Sequence, residues 1–336
     1  MDKYISYKIK NISFLLTILV VILHAYNLES NPDINIISFI QKFISYGIAT
    51  VAVPIFFMIS GFLFFYNFES SVENWIKKYK SRFKSLFIPY FIWCTSWMII
   101  LYSIQLIPML KGFFSNMILN EFSFQEILKY TYKYPIPFQL WYISALIECV
   151  IISPLIYYII KKTGYVSGPI LAILWFFNII DYPIALFSIG CFLSINNISF
   201  NRSVSKLKYI TVLLLFVIAT IIKTYLSYYD FSYIGILGNV VILLGVISIW
   251  MAYDQYSDKL DRVFDITKYG IFIYFLHEPL QSFIIRVLLK IFSNLKIGSI
   301  IIYIISPVIT ISICLVIAVF LNRYMNKTYK VLTGGR

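Results

Sequence analysis

The sequence predicts an all-α, polytopic integral membrane protein with both termini in the cytoplasm. Its composition is the first reason, because 60% of the residues are hydrophobic, only 13% are charged and the mean hydropathy is +0.82. Soluble domains carry about 25% charged residues, so the composition excludes a soluble fold. The second reason is that apolar residues gather in runs of about 20, the length that crosses a bilayer. The third is that basic residues concentrate in alternate connections between these runs.

The apolar runs give about ten candidate transmembrane helices. They cover residues 11–28, 40–66, 86–107, 138–160, 165–180, 183–196, 209–229, 232–253, 268–289 and 298–321. The fifth and sixth runs are short and are separated only by Asp181, Tyr182 and Pro183, so they form either a tight helical hairpin or a pair of partial spans. The first run follows three lysines, as in a signal peptide. No small-residue cleavage site follows it, and we expect it to be retained as a helix.

The distribution of positive charge orients these helices. With the N-terminus inside, 20 of the 28 lysines and arginines fall on the inner side, six fall outside and two lie within spans. This is the positive-inside pattern of membrane proteins. It accounts for much of the net charge of +13, and no nucleic-acid partner is needed to explain that charge.

Residues 1–336 are interpreted as one transmembrane domain, because the sequence contains no internal repeat, low-complexity linker or soluble domain. The sizeable outer segment, residues 108–137, mixes charged and aromatic residues and is expected to form an amphipathic cover over the outer face. The four cysteines lie in apolar runs without C-x-x-C spacing. This pattern indicates buried thiols, and neither a disulfide framework nor a metal site is expected.

The first apolar run carries His24, one of only two histidines in the chain. An ionisable side chain in hydrocarbon costs several kcal/mol, so it is a functional hypothesis by default. Lys10 lies on nearly the same helical face as His24, about 40° away and roughly 21 Å along the axis. The alternative for Lys10 is an ordinary snorkelling anchor.

Two further stretches depart from a plain membrane helix. The run from Val53 to Leu63 contains a proline and the pair Ser60-Gly61, which indicates close helix packing more than chemistry. The stretch from Trp75 to Tyr90 is expected to be an inner loop with five cations. They are Lys77, Lys78, Lys80, Arg82 and Lys84. Such a loop either sets the topology and meets anionic lipids, or it binds the phosphates of a ligand.

Buried carboxylates complete the set of candidate residues. Trp141 and Glu148 are seven residues apart and therefore share a helical face. A carboxylate within a span normally faces the bundle interior and has a partner there. His277 and Glu278, in the ninth run, form a second buried ionisable pair.

Taken in order, these motifs resemble the bacterial membrane acyltransferase-3 family, whose polytopic enzymes acylate sugars of surface polysaccharides and related acceptors. The matching residues are His24, Phe56 to Leu63, Arg82-Phe83-Lys84 with Pro89-Tyr90, Trp141 with Pro154, Ile184 to Gly190, and Phe272 to Pro279. The sequence departs from the family pattern at two places. Ser13 stands where the family has a basic residue, and the basic motif reads Arg-x-Lys in place of Arg-x-Arg, which loses one bidentate guanidinium.

The resemblance implies a bacterial inner-membrane enzyme that takes an acyl group, usually acetyl, from acyl-CoA. It implies that Arg82, Lys84, Lys80 and Lys10 meet the donor, while His24 acts as the base that deprotonates a hydroxyl of a glycan or lipid-linked sugar. An acyl-histidine intermediate is a second possibility. Glu148 is expected to orient an imidazole or bind the acceptor, and Trp141, Ser60, His277 and Glu278 are the candidates for substrate binding. No permanently bound cofactor is expected, and membrane lipid is the remaining partner.

Two other function classes are compatible with the residues. A transporter or flippase for a lipid-linked sugar or small solute would also use proline-interrupted helices and buried ionisable groups. A non-catalytic membrane scaffold would explain the apolar bulk but would leave those groups without a purpose.

Overall fold

The computed structural model describes residues 2–28, 33–107, 119–135, 137–198, 205–229, 234–260, 265–292, 295 and 297–335. All regular structure in these residues is helical, which confirms the all-α prediction. The α-helices are α1 (Lys3–Leu23), α2 (Ile36–Lys42), α3 (Ala52–Phe65), α4 (Val72–Arg82), α5 (Ile88–Gln105), α6 (Phe124–Leu128), α7 (Trp141–Ile151), α8 (Ser153–Thr163), α9 (Ser167–Phe176), α10 (Tyr182–Ile195), α11 (Lys206–Leu226), α12 (Ile234–Leu260), α13 (Gly270–Phe292), α14 (Gly298–Tyr324) and α15 (Asn326–Thr333).

Seven helices in the described ranges are long and apolar enough to cross a membrane. They are Lys3–Leu23, Ile36–Phe65, Val72–Gln105, Lys206–Leu226, Gly235–Tyr256, Asp265–Phe292 and Gly298–Tyr324. The count rises to eight if Phe124–Lys133 and Phe138–Ile151, which meet at 63°, form one bent span. A multi-pass membrane protein is therefore confirmed, whereas the cytoplasmic placement of both termini stays a prediction.

Seven or eight spans are fewer than the roughly ten predicted, and the difference comes from residues 138–196. The run 138–160 is interrupted at Ile152, where α7 ends and α8 begins with Pro154 in its first turn, a position that suits a residue lacking an N–H. The next two runs form α9 and α10, with 10 and 14 residues. At 1.5 Å per residue even α10 is only about 21 Å long, short of the roughly 30 Å of hydrocarbon. These two helices pack against each other, as expected for a hairpin or a pair of partial spans.

Helix α1 begins earlier and ends earlier than the predicted run 11–28. Asp2 caps its N-terminus by accepting from the backbone N–H of Tyr4, and the helix then runs unbroken through three lysines. It ends at Leu23, so His24 is the C-cap residue and does not lie inside the helix. The buried residues Ile9, Ile12, Leu16 and Val20 form its inward stripe.

The basic stretch is a helix, and the prediction of a loop there was wrong. Ser71 accepts from the backbone N–H of Asn74 and starts α4, which continues through a π-helical turn, Phe83–Phe87, into α5. A capping serine, an acidic Glu73 in the first turn and basic residues in the last turn are all helix-favouring features. Residues 108–118 and 136 of the predicted outer cover lie outside the described residues; its described part contains α6 and a π-helical turn, Lys129–Lys133.

The chain separates into two compact units. Unit 1 contains residues Met1–Glu69 and Ile152–Val316, and unit 2 contains Ser70–Ile151 and Ile317–Arg336. In unit 2, α15 packs on α5, where the indole of Trp93 donates to the carbonyl oxygen of Leu332 at 3.0 Å. In unit 1, α1 packs against α3 and α13.

The contact between α3 and α10 in unit 1 depends on two glycines. A Cβ added to Gly61 would collide with the carbonyl oxygen of Phe187, and one added to Gly190 would collide with the carbonyl oxygen of Met58. Each helix thus occupies the space that a side chain on the other would need. Such close approach is the usual role of small residues between membrane helices, and it confirms the packing interpretation of Ser60-Gly61.

We expect Gly61→Ala to destabilise unit 1 by about 1–3 kcal/mol, the usual cost of overpacking, because the obstacle is backbone and cannot rotate away. Gly235→Ala in α12 is the matched control, since its nearest neighbour would be the side-chain amide of Asn178 at 3.9 Å. Thermal unfolding of the purified protein in detergent measures both. Equal unfolding temperatures for the two variants would contradict the packing role of Gly61.

Candidate functional site

The two histidines of the chain meet in unit 1. The imidazole rings of His24 and His277 stack with their centroids 5.4 Å apart and their planes 25° apart. His24 is half-buried, whereas His277 is fully buried on α13. The two histidines are 253 positions apart in the sequence, and the fold brings them together in one site. Of the two rings, only that of His24 is accessible to a substrate.

The end of α1 is held by donors from other helices. A helix leaves its last carbonyl groups without intrahelical partners. Here the side-chain amide of Gln281 donates to the carbonyl oxygen of Val21 at 2.9 Å, and the hydroxyl of Ser45 donates to that of Ile22 at 3.2 Å. The hydroxyl of Ser45 also lies 2.9 Å from that of Tyr303. These contacts fix the position of His24, which lies two residues after Ile22.

His277 presents one ring nitrogen with a defined hydrogen. Its Nδ1 lies 2.8 Å from the carbonyl oxygen of Tyr274, and because a carbonyl can only accept, Nδ1 carries the hydrogen. In a neutral imidazole Nε2 then holds a lone pair. That atom is buried and has no hydrogen-bond partner in the described part of the chain.

The loop after α1 is anchored by an amide network. The side chain of Asn27 donates to the carbonyl oxygen of Ser299 at 3.0 Å, and Gln41 donates to the same oxygen at 3.2 Å. In the same loop, the ring of Tyr26 packs against that of Tyr46, with centroids 4.9 Å apart. Burial raises the pKa of Tyr26 to about 12, so its hydroxyl stays protonated at neutral pH.

Glu278 follows His277 at a break in α13. Its backbone is not helical, at φ −111° and ψ 137°, and its carboxylate accepts from the hydroxyl of Ser282 at 2.8 Å. The side chain is buried, as predicted for an intramembrane carboxylate. Ser60 is half-buried on α3, in the same unit.

The buried cation of α1 is Lys8, and Lys10 is exposed. The ammonium of Lys8 lies 2.6 Å from a carboxylate oxygen of Asp254 and 3.9 Å from the ring centroid of Trp250. The hydroxyl of Tyr4 donates to the same carboxylate. This pair was not predicted from the sequence. Lys8 is one of the three lysines that precede the first apolar run, and the eighth predicted run ends at residue 253, one position before Asp254.

The other candidates lie in unit 2. Arg82 is half-buried, while Lys80 and Lys84 are exposed. Because the segment is helical, residues two apart do not face each other. Arg82 and Lys84 therefore point to different sides, whereas Lys80 and Lys84 share one.

Trp141 and Glu148 also lie in unit 2, on one face of α7, and both are exposed. The expectation that Glu148 is buried was wrong. The buried residues of α7, among them Tyr142, Leu146 and Cys149, occupy the opposite face. In the described residues no group of three or more histidine, cysteine or acidic side chains is placed to hold a metal ion.

Comparison with known proteins places these residues in a family context. The acyltransferase-3 family model, described as an acyltransferase domain, matches residues 7–319. A curated relative is the succinoglycan biosynthesis protein ExoH of Rhizobium meliloti (strain 1021), which is 23% identical over 169 residues. That match covers 48% of this chain and 45% of ExoH, so it spans less than half of the relative. No solved structure matches the chain.

The two cations of α1 are expected to differ in their effect on stability. Lys8→Met leaves the buried carboxyl group of Asp254 without its cationic partner, and breaking a buried pair from one side costs about 3–5 kcal/mol. Lys10→Met removes an exposed charge and should change the free energy of unfolding by less than about 0.5 kcal/mol.

Thermal unfolding in detergent measures both variants, and Lys8→Met combined with Asp254→Asn should recover part of the loss. A Lys10→Met variant as unstable as Lys8→Met would contradict the assignment of the buried cation.

Proposed function

Since the chain belongs to the acyltransferase-3 family, we propose that it is a membrane-bound O-acyltransferase that moves an acyl group, acetyl in the first instance, from acyl-CoA to a glycan hydroxyl. The acceptor is a cell-surface polysaccharide, its precursor or a related sugar. The enzyme works in the inner membrane of a bacterial cell, with the donor arriving from the cytoplasm.

The observation that carries this proposal is the stacked histidine pair at the end of α1. Acyl transfer to a hydroxyl needs a base. The half-buried imidazole of His24, which stacks on the fully buried imidazole of His277, can serve as that base. His24 faces the substrate, and His277, whose ring is fixed by its bond to the carbonyl of Tyr274, supports the His24 ring from behind. His277 is thus proposed as a positioning residue, while His24 is the catalytic one.

The proposed step balances without any further reactant. The acceptor hydroxyl gives its proton to a ring nitrogen of His24 while its oxygen attacks the thioester carbonyl carbon. The carbon–sulfur bond breaks, and the departing CoA thiolate takes the proton from the imidazolium. In the acyl-histidine route, the ring nitrogen attacks the thioester carbon and CoA leaves as the thiolate. The acceptor hydroxyl then attacks the acyl carbon, the carbon–nitrogen bond breaks, and the hydroxyl proton goes to the thiolate.

The donor site is proposed on the basic helix of unit 2. Lys77, Lys80 and Lys84 follow one another at spacings of three and four, so they line one exposed helical face, and Lys78 and Arg82 line another. The diphosphate and the 3′-phosphate of CoA need several cations, and two stripes on one helix supply them. Exposed Lys10 belongs to unit 1 and is retained as a weaker donor contact.

The proposed acceptor class rests on the relative ExoH, a succinoglycan biosynthesis protein. Trp141 and Ser60 stay proposed substrate contacts. His277 and Glu278 were also predicted to bind substrate, but both side chains are buried, so they are proposed to support the site and not to touch the substrate. Exposure makes Glu148 a candidate for the acceptor, not for orienting a buried imidazole. The matches favour this enzyme over the transporter alternative, because the family model is described as an acyltransferase domain.

His24→Ala should lower acyl transfer by about 100- to 10,000-fold, the usual contribution of a general base. His24→Gln should be equally inactive, since it keeps polarity but cannot accept and return a proton. Transfer of labelled acetyl from acetyl-CoA to isolated surface glycan, measured with membranes matched for protein content, gives the rate. Wild-type activity in either variant would eliminate His24 as the base.

Lys84→Gln and Arg82→Gln should each raise the KM for acyl-CoA by about tenfold, since each removes a charge-assisted contact to phosphate, and should leave kcat nearly unchanged. Lys84→Arg keeps the charge and should stay close to wild type. Lys162→Gln removes an exposed cation elsewhere, on α8, and is the matched control. A fall in kcat at constant KM would argue against a phosphate site on this helix.

A further inference from the structure

Lys42 is an unusual residue for a membrane protein. It lies in the apolar helical stretch Ile36–Phe65, its side chain is only 6% exposed, and no carboxylate or hydrogen-bond acceptor contacts it among the described residues. Its ammonium rests on the ring of Tyr228, 3.8 Å from the centroid. A snorkelling lysine exposes its ammonium at the interface, whereas protein atoms cover the side chain of Lys42. An intramembrane charge of this kind marks a functional site.

A second lysine lies on the neighbouring helix. Lys223, near the end of α11, donates to the carbonyl oxygen of Tyr46 at 2.7 Å and has no acidic partner in the described ranges. Two contacts hold the helices together here: the hydroxyl of Tyr228 donates to that of Ser38 at 2.9 Å, and Gly47 packs closely against Thr220. The chain next to Lys42 is a π-helix, Phe43–Ile48, a form that often accompanies functional sites.

Contacts connect these lysines to the segment that follows the proposed base. Tyr46 follows Ser45, whose hydroxyl binds the end of α1, and the ring of Tyr46 packs on that of Tyr26, two residues after His24. The segment after His24 is therefore linked, through the contacts of Tyr26 and Tyr46, to a cluster of aromatic rings, phenol hydroxyls and two cations without acidic partners in the described residues. Aromatic faces pack on the apolar faces of sugar rings, and the hydroxyls and ammonium groups supply polar contacts.

We propose that Lys42 and Lys223, with the rings of Tyr26, Tyr46 and Tyr228, form a subsite for the acceptor and that this subsite binds a sugar carrying an anionic group. The anion is a carboxylate or a phosphate, the groups that ammonium donors bind through charge-assisted hydrogen bonds. The inference rests on the proposed function for the identity of the ligand as the acceptor. It narrows the acceptor from glycans in general to acidic glycans.

The test measures binding, not transfer. Protein in phosphatidylcholine nanodiscs is titrated calorimetrically with tetragalacturonate, with galactose 1-phosphate and with neutral galactotetraose. We expect at least one anionic sugar to bind at least about tenfold more tightly than the neutral one, the effect of one charge-assisted contact. Lys42→Met should abolish that preference, Lys42→Arg should retain it, and Lys290→Met, an exposed cation on α13, should leave it unchanged.

Unfolding temperature separates binding from structure. Lys42 has no ionic partner among the described residues, so Lys42→Met should leave the unfolding temperature equal to wild type or raise it, while binding is lost. Equal binding of acidic and neutral sugars, or an unchanged preference in Lys42→Met, overturns the proposal. A lower unfolding temperature together with lost binding makes Lys42 a structural residue and also overturns it.

Two further experiments show whether the bound anion comes from a lipid or a sugar, and whether a negative result contradicts the subsite or the proposed enzyme activity. If phosphatidylglycerol in the nanodiscs competes with the acidic sugar in wild type, a lipid headgroup fills the subsite and the proposal falls. If His24→Ala stops acyl transfer while the lysine variants bind normally, the acyltransferase stands and the acidic acceptor falls. If the lysine variants lose binding and no acyl transfer occurs with any donor, the acidic-sugar site stands and the enzyme falls.

Discussion

Helix α1 ends inside the helical bundle, and the need to satisfy its last carbonyl groups shapes unit 1. An unsatisfied carbonyl is costly where water is absent. Gln281 and Ser45 supply the donors. Gln281 follows His277 after the break in α13 at Glu278, and both residues contact the end of α1: Gln281 caps it and the ring of His277 stacks on that of His24. The contact of Ser45 with the end of α1 also fixes the adjacent residue Tyr46, whose carbonyl oxygen accepts from Lys223.

The buried charges of unit 1 illustrate different degrees of compensation. Lys8 has a carboxylate at 2.6 Å and an indole face beneath it, and its partner Asp254 also accepts from Tyr4. Glu278 accepts from the hydroxyl of Ser282. Lys42 has an aromatic ring and, among the described residues, no anion. A buried charge with a complete set of partners, such as Lys8, is explained by its role in the fold. Lys42 lacks an anionic partner among the described residues and is therefore the better candidate for binding a ligand.

The helical class, the multi-pass character and the family follow from composition, run length and motif order. His24 and His277 were both identified from the sequence because ionisable residues in apolar runs are conspicuous. Their contact was not, since one sequence carries no information about which distant helices meet. The same limit explains Lys8 and Asp254. Glu148 was misplaced because a seven-residue spacing fixes which residues share a face but not which face is buried. The basic helix was mistaken for a loop because charge was weighed above the Ser71 cap.

The reciprocal glycines of α3 and α10 bear on how unit 1 can move. Each carbonyl lies where the other helix lacks a side chain, so sliding either helix by about one turn would bring the side chain four residues away, Phe57 or Phe65 in α3 and Leu186 or Ser194 in α10, against a backbone oxygen. Shear motions, in which packed helices slide past one another, are therefore blocked along this contact. The two helices are expected to travel as one rigid piece, which suits a fixed reaction chamber better than a pathway that must open alternately on two sides.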